Sequence, residues 1–215
     1  MSKTALFEAA KRWDAAKVTR LSGDVPDLVR AVDSRGRTAL HLCAGQSVKD
    51  EDDPATASIA TAMALIRAGA EVNAVHEIRD DAEIFAATPL WYAVARGKNL
   101  PLVKALLRAG ANPDYCLWAA VWANDLRLLK VLLRAGSRTE LTFDGETPLI
   151  YAARLGRERM IPDLLRAGAI AAVKDAKGMT SLDYALKKRL SDRLILALGG
   201  TPPVKRSGQG RKQPT

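Results

Sequence analysis

The chain has 215 residues, of which 48% are hydrophobic and only 5% aromatic, and it carries a net charge of +9. A chain of this kind can bury a core, as one domain or a short array, and it favours helices that pack through small side chains. No apolar run approaches the roughly 18 residues of a membrane span. The first residues lack the apolar stretch and cleavage site of a signal peptide.

The chain has two cysteines, Cys43 and Cys116, and each lies inside a predicted helical segment. Two buried thiols in a reducing compartment explain this placement better than a disulfide does. Together with the expected lack of a signal peptide and of a membrane span, they predict a cytoplasmic protein.

The positive charge is concentrated at the C-terminal end. From residue 187 onward, eight basic residues and one acidic residue give +7, which leaves +2 for residues 1–186. A nearly balanced body argues against a nucleic-acid footprint over the whole surface.

Two short phrases recur along the chain at a period of about 33 residues. The first places a marker leucine two residues after a threonine or tyrosine, at 38–41, 88–91, 115–118, 147–150 and 180–183. The second reads Leu-(Leu or Ile)-Arg-Ala-Gly and occupies 65–69, 106–110, 132–136 and 164–168. Repetition at such a period predicts stacked helical hairpins rather than one globular core.

The segment from Thr147 to Gly168 shows how each repeat is expected to fold. Thr147 can cap a helix, and Pro148 suits the first helical turn, where no N–H is needed. Gly156 and Gly168 are expected to end the first and second helices. One such helix pair cannot bury its apolar faces alone, so neighbouring pairs must supply the missing interior.

Residues 33–41, Asp-Ser-Arg-Gly-Arg-Thr-Ala-Leu-His, resemble the turn and first helix of an ankyrin repeat, whose phrase is Thr-Pro-Leu-His-x-Ala. The resemblance covers roughly residues 4–198. It implies an all-α fold, an ankyrin-repeat solenoid of about six helix–turn–helix units with finger loops between them and caps at both ends.

The expected solenoid domain spans residues 1–200. Its units are expected at about 4–32, 33–75, 76–114, 115–140, 141–173 and 174–198. The first and last units carry polar outer faces, as the end caps of a solenoid require. Residues 201–215 are rich in Gly, Pro, Gln and basic residues, and they are expected to form a disordered basic tail.

The repeats depart from regular spacing between the second and fourth units. The second unit carries an insertion at 47–57, which includes the acidic run 50–53, and an enlarged finger follows at 76–87. The fourth unit lacks a finger, because 112–116 runs almost directly into Leu117. Insertions in solenoids often lie on the binding face, but tolerant loops also drift, and the sequence leaves both interpretations open.

No catalytic constellation is evident in the sequence. His41 and His76 are the only histidines, and the resemblance implies that His41 forms hydrogen bonds within the turn network. No metal-ligand spacing, phosphate loop or Gly-x-Ser-x-Gly motif is present. The acidic run 50–53 is either a solvated loop or a contact for a basic partner. We therefore expect a non-enzymatic protein without a catalytic residue, metal or cofactor.

Three tryptophans are candidate contacts. Trp91 and Trp118 each follow a marker leucine, so they either replace the family's histidine in the turn network or add partner contacts. Trp122 lies one helical turn after Trp118. The resemblance places its register on the concave groove, where an aromatic side chain is a typical partner anchor.

The same register carries cations in four units, at Arg12, Arg96, Arg154, Lys187 and Lys188. A groove lined by cations around one tryptophan would suit an acidic protein surface. The helix macrodipole also favours cations at helix C-termini, and this explains part of the pattern.

The function that the resemblance implies is protein–protein interaction through the concave groove and the finger loops. The alternative is binding of nucleic acid or another anionic surface through the basic last helix and tail. The charge of +7 from residue 187 onward supports this alternative, whereas the balanced body argues against it.

Overall fold

The computed structural model describes residues 2–47, 54–79 and 84–202. Within these residues the chain forms twelve α-helices in six consecutive pairs. Their bounds are α1 (Lys3–Lys11), α2 (Ala15–Asp24), α3 (Ala39–Ala44), α4 (Pro54–Arg67), α5 (Pro89–Tyr92), α6 (Leu100–Arg108), α7 (Cys116–Trp122), α8 (Leu126–Arg134), α9 (Pro148–Arg154), α10 (Ile161–Arg166), α11 (Ser181–Lys187) and α12 (Asp192–Ala197). We call them the first pair (α1 and α2) to the sixth pair (α11 and α12).

The pairs stack in chain order. The first helices contact one another in the order α1, α3, α5, α7, α9, α11, and α2, α4, α6 and α8 form a second layer behind them. The expected solenoid of about six helix–turn–helix units is therefore confirmed. The exact unit bounds given above stay a prediction.

The second, third, fifth and sixth pairs each begin at a capping threonine. The side chains of Thr38, Thr88, Thr147 and Thr180 accept a hydrogen bond from the backbone N–H three residues later. This bond satisfies one of the free donors at a helix N-terminus. The fourth pair is different, because α7 follows Tyr115, which has a φ of 63° and offers no side-chain cap.

The Leu-(Leu or Ile)-Arg-Ala-Gly phrase closes a second helix each time it occurs. Its first leucine is fully buried, and its glycine adopts a φ between 86° and 95°, at Leu65 and Gly69, Leu106 and Gly110, Leu132 and Gly136, and Leu164 and Gly168. The next residue donates its N–H back to the carbonyl of that leucine at 2.9 to 3.2 Å. The phrase therefore supplies both a core side chain and a left-handed helix end.

The connections that precede the pairs project as fingers. The second pair follows a turn in which Asp33 Oδ1 accepts the N–H groups of Arg35 and Arg37 at 2.9 Å. Asp175 accepts two N–H groups in the same way before the sixth pair. The finger before the fifth pair is the short turn 143–146, closed by reciprocal bonds between Phe143 and Glu146.

The enlarged finger before the third pair is a β-hairpin. Strands β1 (His76–Arg79) and β2 (Ile84–Ala87) pair antiparallel, with His76 opposite Ala87 and Ile78 opposite Phe85. This two-stranded sheet adds a β element to the expected all-α solenoid. The fourth pair has no finger, as predicted from the sequence, since Tyr115 leads directly into α7.

Two irregular helical turns complete the described chain. A 3₁₀ helix, Pro26–Arg30, follows α2, and a π-helical turn, Ala93–Gly97, continues α5. Most of the predicted insertion at 47–57 and the tail from residue 203 onward lie outside the described residues.

Candidate functional site

A pocket of about 310 Å³ opens between the third, fourth and fifth pairs. Its lining comes from the fingers and the first helices, the surface that we call the groove face. Seven aromatic side chains of the described residues line it, and we call it the aromatic pocket: Phe85, Trp91, Tyr115, Trp118, Trp122, Phe143 and Tyr151. The chain is only 5% aromatic, and seven of its eleven Phe, Trp and Tyr residues line this pocket.

The third pair supplies one wall through Phe85 and Trp91. Phe85 lies on β2, and its ring centre is 5.1 Å from that of Trp91. Trp91 occupies the first turn of α5, where its backbone N–H donates to Thr88 Oγ1. The β-hairpin thus sets one side of the pocket.

The missing finger shapes the floor of the pocket. No finger precedes the fourth pair. Phe85, in the finger before the third pair, therefore contacts Phe143, in the finger before the fifth pair, with ring centres 5.1 Å apart. Tyr115 is 37% exposed, and its ring stacks on Trp118 at 5.8 Å with an interplanar angle of 21°. Aromatic side chains therefore occupy the place of a backbone turn.

Trp118 and His41 make the same hydrogen bond in different pairs. His41 Nε2 lies 3.1 Å from the carbonyl oxygen of Ala87, which precedes Thr88, and Trp118 Nε1 donates at 3.2 Å to the carbonyl of Glu146, which precedes Thr147. Trp118 is only 7% exposed. Of the two interpretations left open above, packing in the turn network in place of a histidine is the one that Trp118 follows.

Trp122 lies at the end of α7 and is 66% exposed. It follows Trp118 by one helical turn, so both rings face the pocket. Arg157 Nη2 lies 3.4 Å from the Trp122 carbonyl oxygen and ties the end of α7 to the fifth pair. A tryptophan this exposed beside a buried one forms an accessible edge to the pocket.

The fifth repeat contributes Arg154 to the pocket, and the charge of this arginine is neutralised by Glu146. Glu146 is 8% exposed and accepts two hydrogen bonds from Arg154, at 2.6 Å from Nε and 2.8 Å from Nη2. This hydrogen bond raises the pKa of Arg154 above its usual range. The Arg154 guanidinium carbon also lies 5.0 Å from the ring centre of Tyr151, whose pKa is raised by burial.

The structure separates the predicted contact residues into two groups. Trp91, Trp118, Trp122 and Arg154 line the aromatic pocket. The other predicted cations lie elsewhere: Arg12 is exposed at the end of α1, Lys187 and Lys188 are exposed at the end of α11, and Arg96 lies 5.4 Å over the ring of Tyr92.

Sequence reasoning singled out four of the twelve residues that line the pocket and missed the rest. Phe85, Tyr115 and Phe143 each belong to a finger or to the place of a missing finger. They do not share one repeat position, because Phe85 and Phe143 precede a capping threonine by three and four residues whereas Tyr115 takes the place of that threonine. Register alone therefore did not single them out. Glu146, the partner of Arg154, has no distinctive sequence context.

Two buried histidines, His41 and His76, hold the β-hairpin in place on the side away from the aromatic pocket. The N–H of Thr38 donates to His41 Nδ1 at 3.2 Å, so Nε2 carries the proton and donates to Ala87. Burial lowers the pKa of His41 to about 4. His76 Nδ1 lies 2.8 Å from the Tyr92 hydroxyl. The expected place of His41 in the turn network is confirmed.

Other chemical groups are few among the described residues. Cys43 and Cys116 are free and buried, and burial raises the pKa of Cys43 to about 12, so this thiol is unreactive. No cluster of three or more His, Cys, Asp or Glu side chains in the described part of the chain could hold a metal ion. None of the described helices has the length and apolar character needed to cross a bilayer.

Comparison with known families agrees with this architecture. The family model for three copies of the ankyrin repeat matches residues 117–198, and the single ankyrin-repeat model matches residues 87–116. The chain belongs to the ankyrin-repeat family. Ankyrin repeats are generally protein–protein interaction modules.

Solved structures share the fold over nearly the whole chain. EF0377, an ankyrin repeat protein, is 27% identical, with a TM-score of 0.70 over 92% of this chain and 97% of its own. An ankyrin repeat domain from Acinetobacter baumannii AYE is 26% identical, with a TM-score of 0.71 over 93% and 100%. A chain from the complex of the Bdellovibrio bacteriovorus predatory endopeptidase Bd0816 with immunity protein Bd3460 is 26% identical, with a TM-score of 0.67 over 93% and 98%.

Proposed function

We propose that this ankyrin-repeat protein is a non-enzymatic module that binds a protein partner through its groove face and fingers, with the aromatic pocket as the anchor point. The observation that carries the proposal is Trp122, which is 66% exposed at the edge of a pocket lined by six further aromatic side chains. Large aromatic side chains beside a preformed pocket are typical centres of binding energy in protein interfaces.

The pocket is held in shape before any partner arrives. Trp118 is fixed by its bond to the Glu146 carbonyl, and Arg154 is fixed by two bonds to the Glu146 carboxylate. A partner therefore does not have to order these side chains on binding, which lowers the entropy loss of association. Trp122 and Trp91, which are less buried, complete the contact surface.

The cations outside the pocket complete the proposed interface. Arg12 lies in the first pair, and Lys187 and Lys188 lie in the sixth. Exposed positive charges therefore lie at both ends of the stack of helix pairs. We retain from the sequence the proposal that these residues and Arg96 face acidic groups of the partner. Charge complementarity of this kind raises the association rate and weakens with added salt.

The decisive test is affinity capture from the native cell with the wild-type protein, the Trp122→Ala variant and a matched control. Ile170→Ala is the control, because Ile170 is a similarly exposed apolar side chain, at 59%, and does not line the pocket. We expect Trp122→Ala to lose the partner by roughly thirtyfold or more in affinity, as truncation of a hot-spot tryptophan does. Equal capture by all three proteins would remove Trp122 from the interface.

A second candidate function is the binding of nucleic acid or another anionic surface through the basic C-terminal end. It is favoured by the exposed Lys187 and Lys188 and by the +7 charge from residue 187 onward. Deletion of residues 201–215 would then abolish a steeply salt-dependent affinity for nucleic acid. Binding that survives high salt and the deletion, but not Trp122→Ala, supports the protein partner instead.

A further inference from the structure

Each charged side chain in the described lining of the aromatic pocket already has an interaction within the chain. Glu146 and Arg154 neutralise each other through two hydrogen bonds, at 2.6 and 2.8 Å. Asp144 also has an interaction of its own. The rest of the lining consists of aromatic rings and two alanines. A charged occupant would lose its hydration there without gaining a free counter-ion, so the lining favours an uncharged side chain.

The size of the pocket suits one large apolar side chain. Its volume is about 310 Å³, and rings from three successive helix pairs bound it. An inserted side chain therefore loses contact with water on several sides at once. Burial of this kind contributes roughly 25 cal/mol for each Å² of apolar surface, which makes a leucine a much stronger anchor than an alanine.

Arg157 lies beside the pocket and, unlike Arg154, has no ion pair with any of the described residues. Its Nη2 lies 3.4 Å from the Trp122 carbonyl oxygen, and its buried Nε has no acceptor within the described part of the chain. Burial raises the pKa of Tyr151 in the pocket wall, and the charges of Arg154 and Arg157 oppose this rise. The positive charge of Arg157 thus extends to the pocket without being neutralised.

The surroundings of Arg157 do not supply the missing carboxylate. Asp125, the acidic residue that follows Trp122 most closely, accepts backbone N–H groups at the start of α8 and lies 3.7 Å from Arg127. Residues 157–159 read Arg-Glu-Arg and carry a net charge of +1. In the third pair, on the other side of the fourth, Arg96 is exposed as well. Positive charge therefore flanks the pocket on both sides and is complementary to an acidic partner.

We propose that the partner inserts a large uncharged apolar side chain into the aromatic pocket, and that a glutamate or aspartate next to this side chain binds Arg157. The inference rests on the proposed function and names the chemistry of the partner segment. It adds Arg157 to the contact residues as the side chain that selects an acidic neighbour for the apolar anchor. A carboxylate gains charge-assisted hydrogen bonds from a guanidinium that has no such partner in the free protein.

The test uses three blocked pentapeptides, Ala-Glu-Leu-Glu-Ala, Ala-Gln-Leu-Gln-Ala and Ala-Glu-Ala-Glu-Ala. The second peptide keeps the shape of the first without its charge, and the third keeps the charge without the apolar anchor. Binding is followed by the indole N–H resonances of ¹⁵N-labelled protein, with Trp13 as the internal reference outside the pocket. We expect the first peptide to shift Trp91 and Trp122 saturably. It should bind roughly threefold more tightly than the second and roughly tenfold more tightly than the third.

Two variants separate Arg157 from the general positive charge of the protein. Arg157→Gln removes the charge beside Trp122, and Arg159→Gln makes the same change in net charge at an exposed residue of the same loop. We expect Arg157→Gln to bind the glutamate and glutamine peptides with equal affinity, whereas Arg159→Gln keeps the preference for glutamate. Urea unfolding checks that both variants are folded, and the three peptides with the wild type test the anchor without any substitution.

The outcomes distinguish this inference from the function on which it rests. Equal affinity of the wild type for the first two peptides, or a glutamate preference that survives in Arg157→Gln, would overturn the role of Arg157. Equal affinity for the first and third peptides, or no saturable shift with any of them, would overturn the apolar anchor. If Trp122→Ala still loses the cellular partner in these cases, the interaction function stands with a different anchor. Unchanged capture by Trp122→Ala would overturn the function itself.

Discussion

The fourth and fifth helix pairs pack alike but begin differently. In the fifth pair a short finger leads to Thr147, whose side chain caps α9. In the fourth pair no finger is formed, and Tyr115 precedes α7 with a left-handed backbone and no side-chain cap. The aromatic pocket lies where the regular connection is missing. In this solenoid the regular repeats build the scaffold, and the departure from the repeat builds the aromatic pocket, which we propose as the contact surface.

The prediction with the largest expected effect compares how tightly the cores of the fourth and fifth pairs are packed. Leu132 in α8 and Leu164 in α10 occupy the same place in the repeated phrase and are both fully buried. We expect Leu132→Ala and Leu164→Ala each to lower the free energy of unfolding by about 2–5 kcal/mol, as truncation in a packed core does. Urea unfolding measures both, and a nearly neutral Leu132→Ala would mean that the fourth pair is loosely packed.

The second prediction compares His41 and Trp118, whose rings each bond to the carbonyl before a capping threonine. His41 titrates, whereas Trp118 does not. The pKa of His41 is lowered from 6.5 to about 4, so between these pH values the unfolded chain binds a proton at this residue that the folded chain does not. Stability therefore falls as the pH falls through this window, on the order of 3 kcal/mol in total.

Urea unfolding of the wild type and of His41→Gln at several pH values measures this contribution. The variant is expected to be less stable at pH 7, because it loses the bond to the Ala87 carbonyl, and to show a shallower pH dependence below 6.5. Identical slopes for the two proteins would show that His41 does not carry the effect.

The third prediction separates the two tryptophans of α7 by the same substitution. Trp118→Phe removes the donor to the Glu146 carbonyl and reduces a buried side chain, so we expect a loss of about 1–2 kcal/mol of unfolding free energy. Trp122→Phe changes an exposed side chain and should stay within about 0.5 kcal/mol. Thermal unfolding measures the stability of both variants. A larger loss in Trp122→Phe than in Trp118→Phe would contradict the assignment of Trp118 to the turn network.

The smallest expected effects concern the helix starts themselves. Thr147→Ala removes the cap of α9 and should lower the unfolding free energy by about 1 kcal/mol. Tyr115→Asn should be nearly neutral, because relief of about 1 kcal/mol of left-handed strain offsets the lost stacking on Trp118. A clear loss in Tyr115→Asn would show that the aromatic stack holds the start of the fourth pair as firmly as a cap does.

The repeated fold could be predicted because its causes are local. A capping threonine, a marker leucine and a closing glycine act within a few residues of one another, and the described helices follow all three in four of the six pairs. The exceptional α7 kept its marker leucine, so its position was predicted although its cap was absent. The missing finger was visible as a shortened spacing before Leu117.

The site was predicted only in part, because a pocket depends on which side chains meet across pairs. Trp91, Trp118, Trp122 and Arg154 were singled out by their register, and the structure brings these four together. The same register also selected Arg12, Arg96, Lys187 and Lys188, which lie outside the pocket. The register of a residue predicts the helix face on which it lies. It does not predict which side chains of neighbouring repeats pack against that face.

The sequence by itself therefore determined the architecture of this protein, since turn chemistry and helical periodicity are properties of short segments that repeat. Only the tertiary structure decided what the missing finger became. Phe85 and Phe143 are far apart in the sequence and meet at 5.1 Å because the pairs that carry them stack without a turn between them. Within the fifth repeat, the fold also placed Glu146 against Arg154, and this ion pair neutralises a charge that the sequence analysis had assigned to an acidic partner.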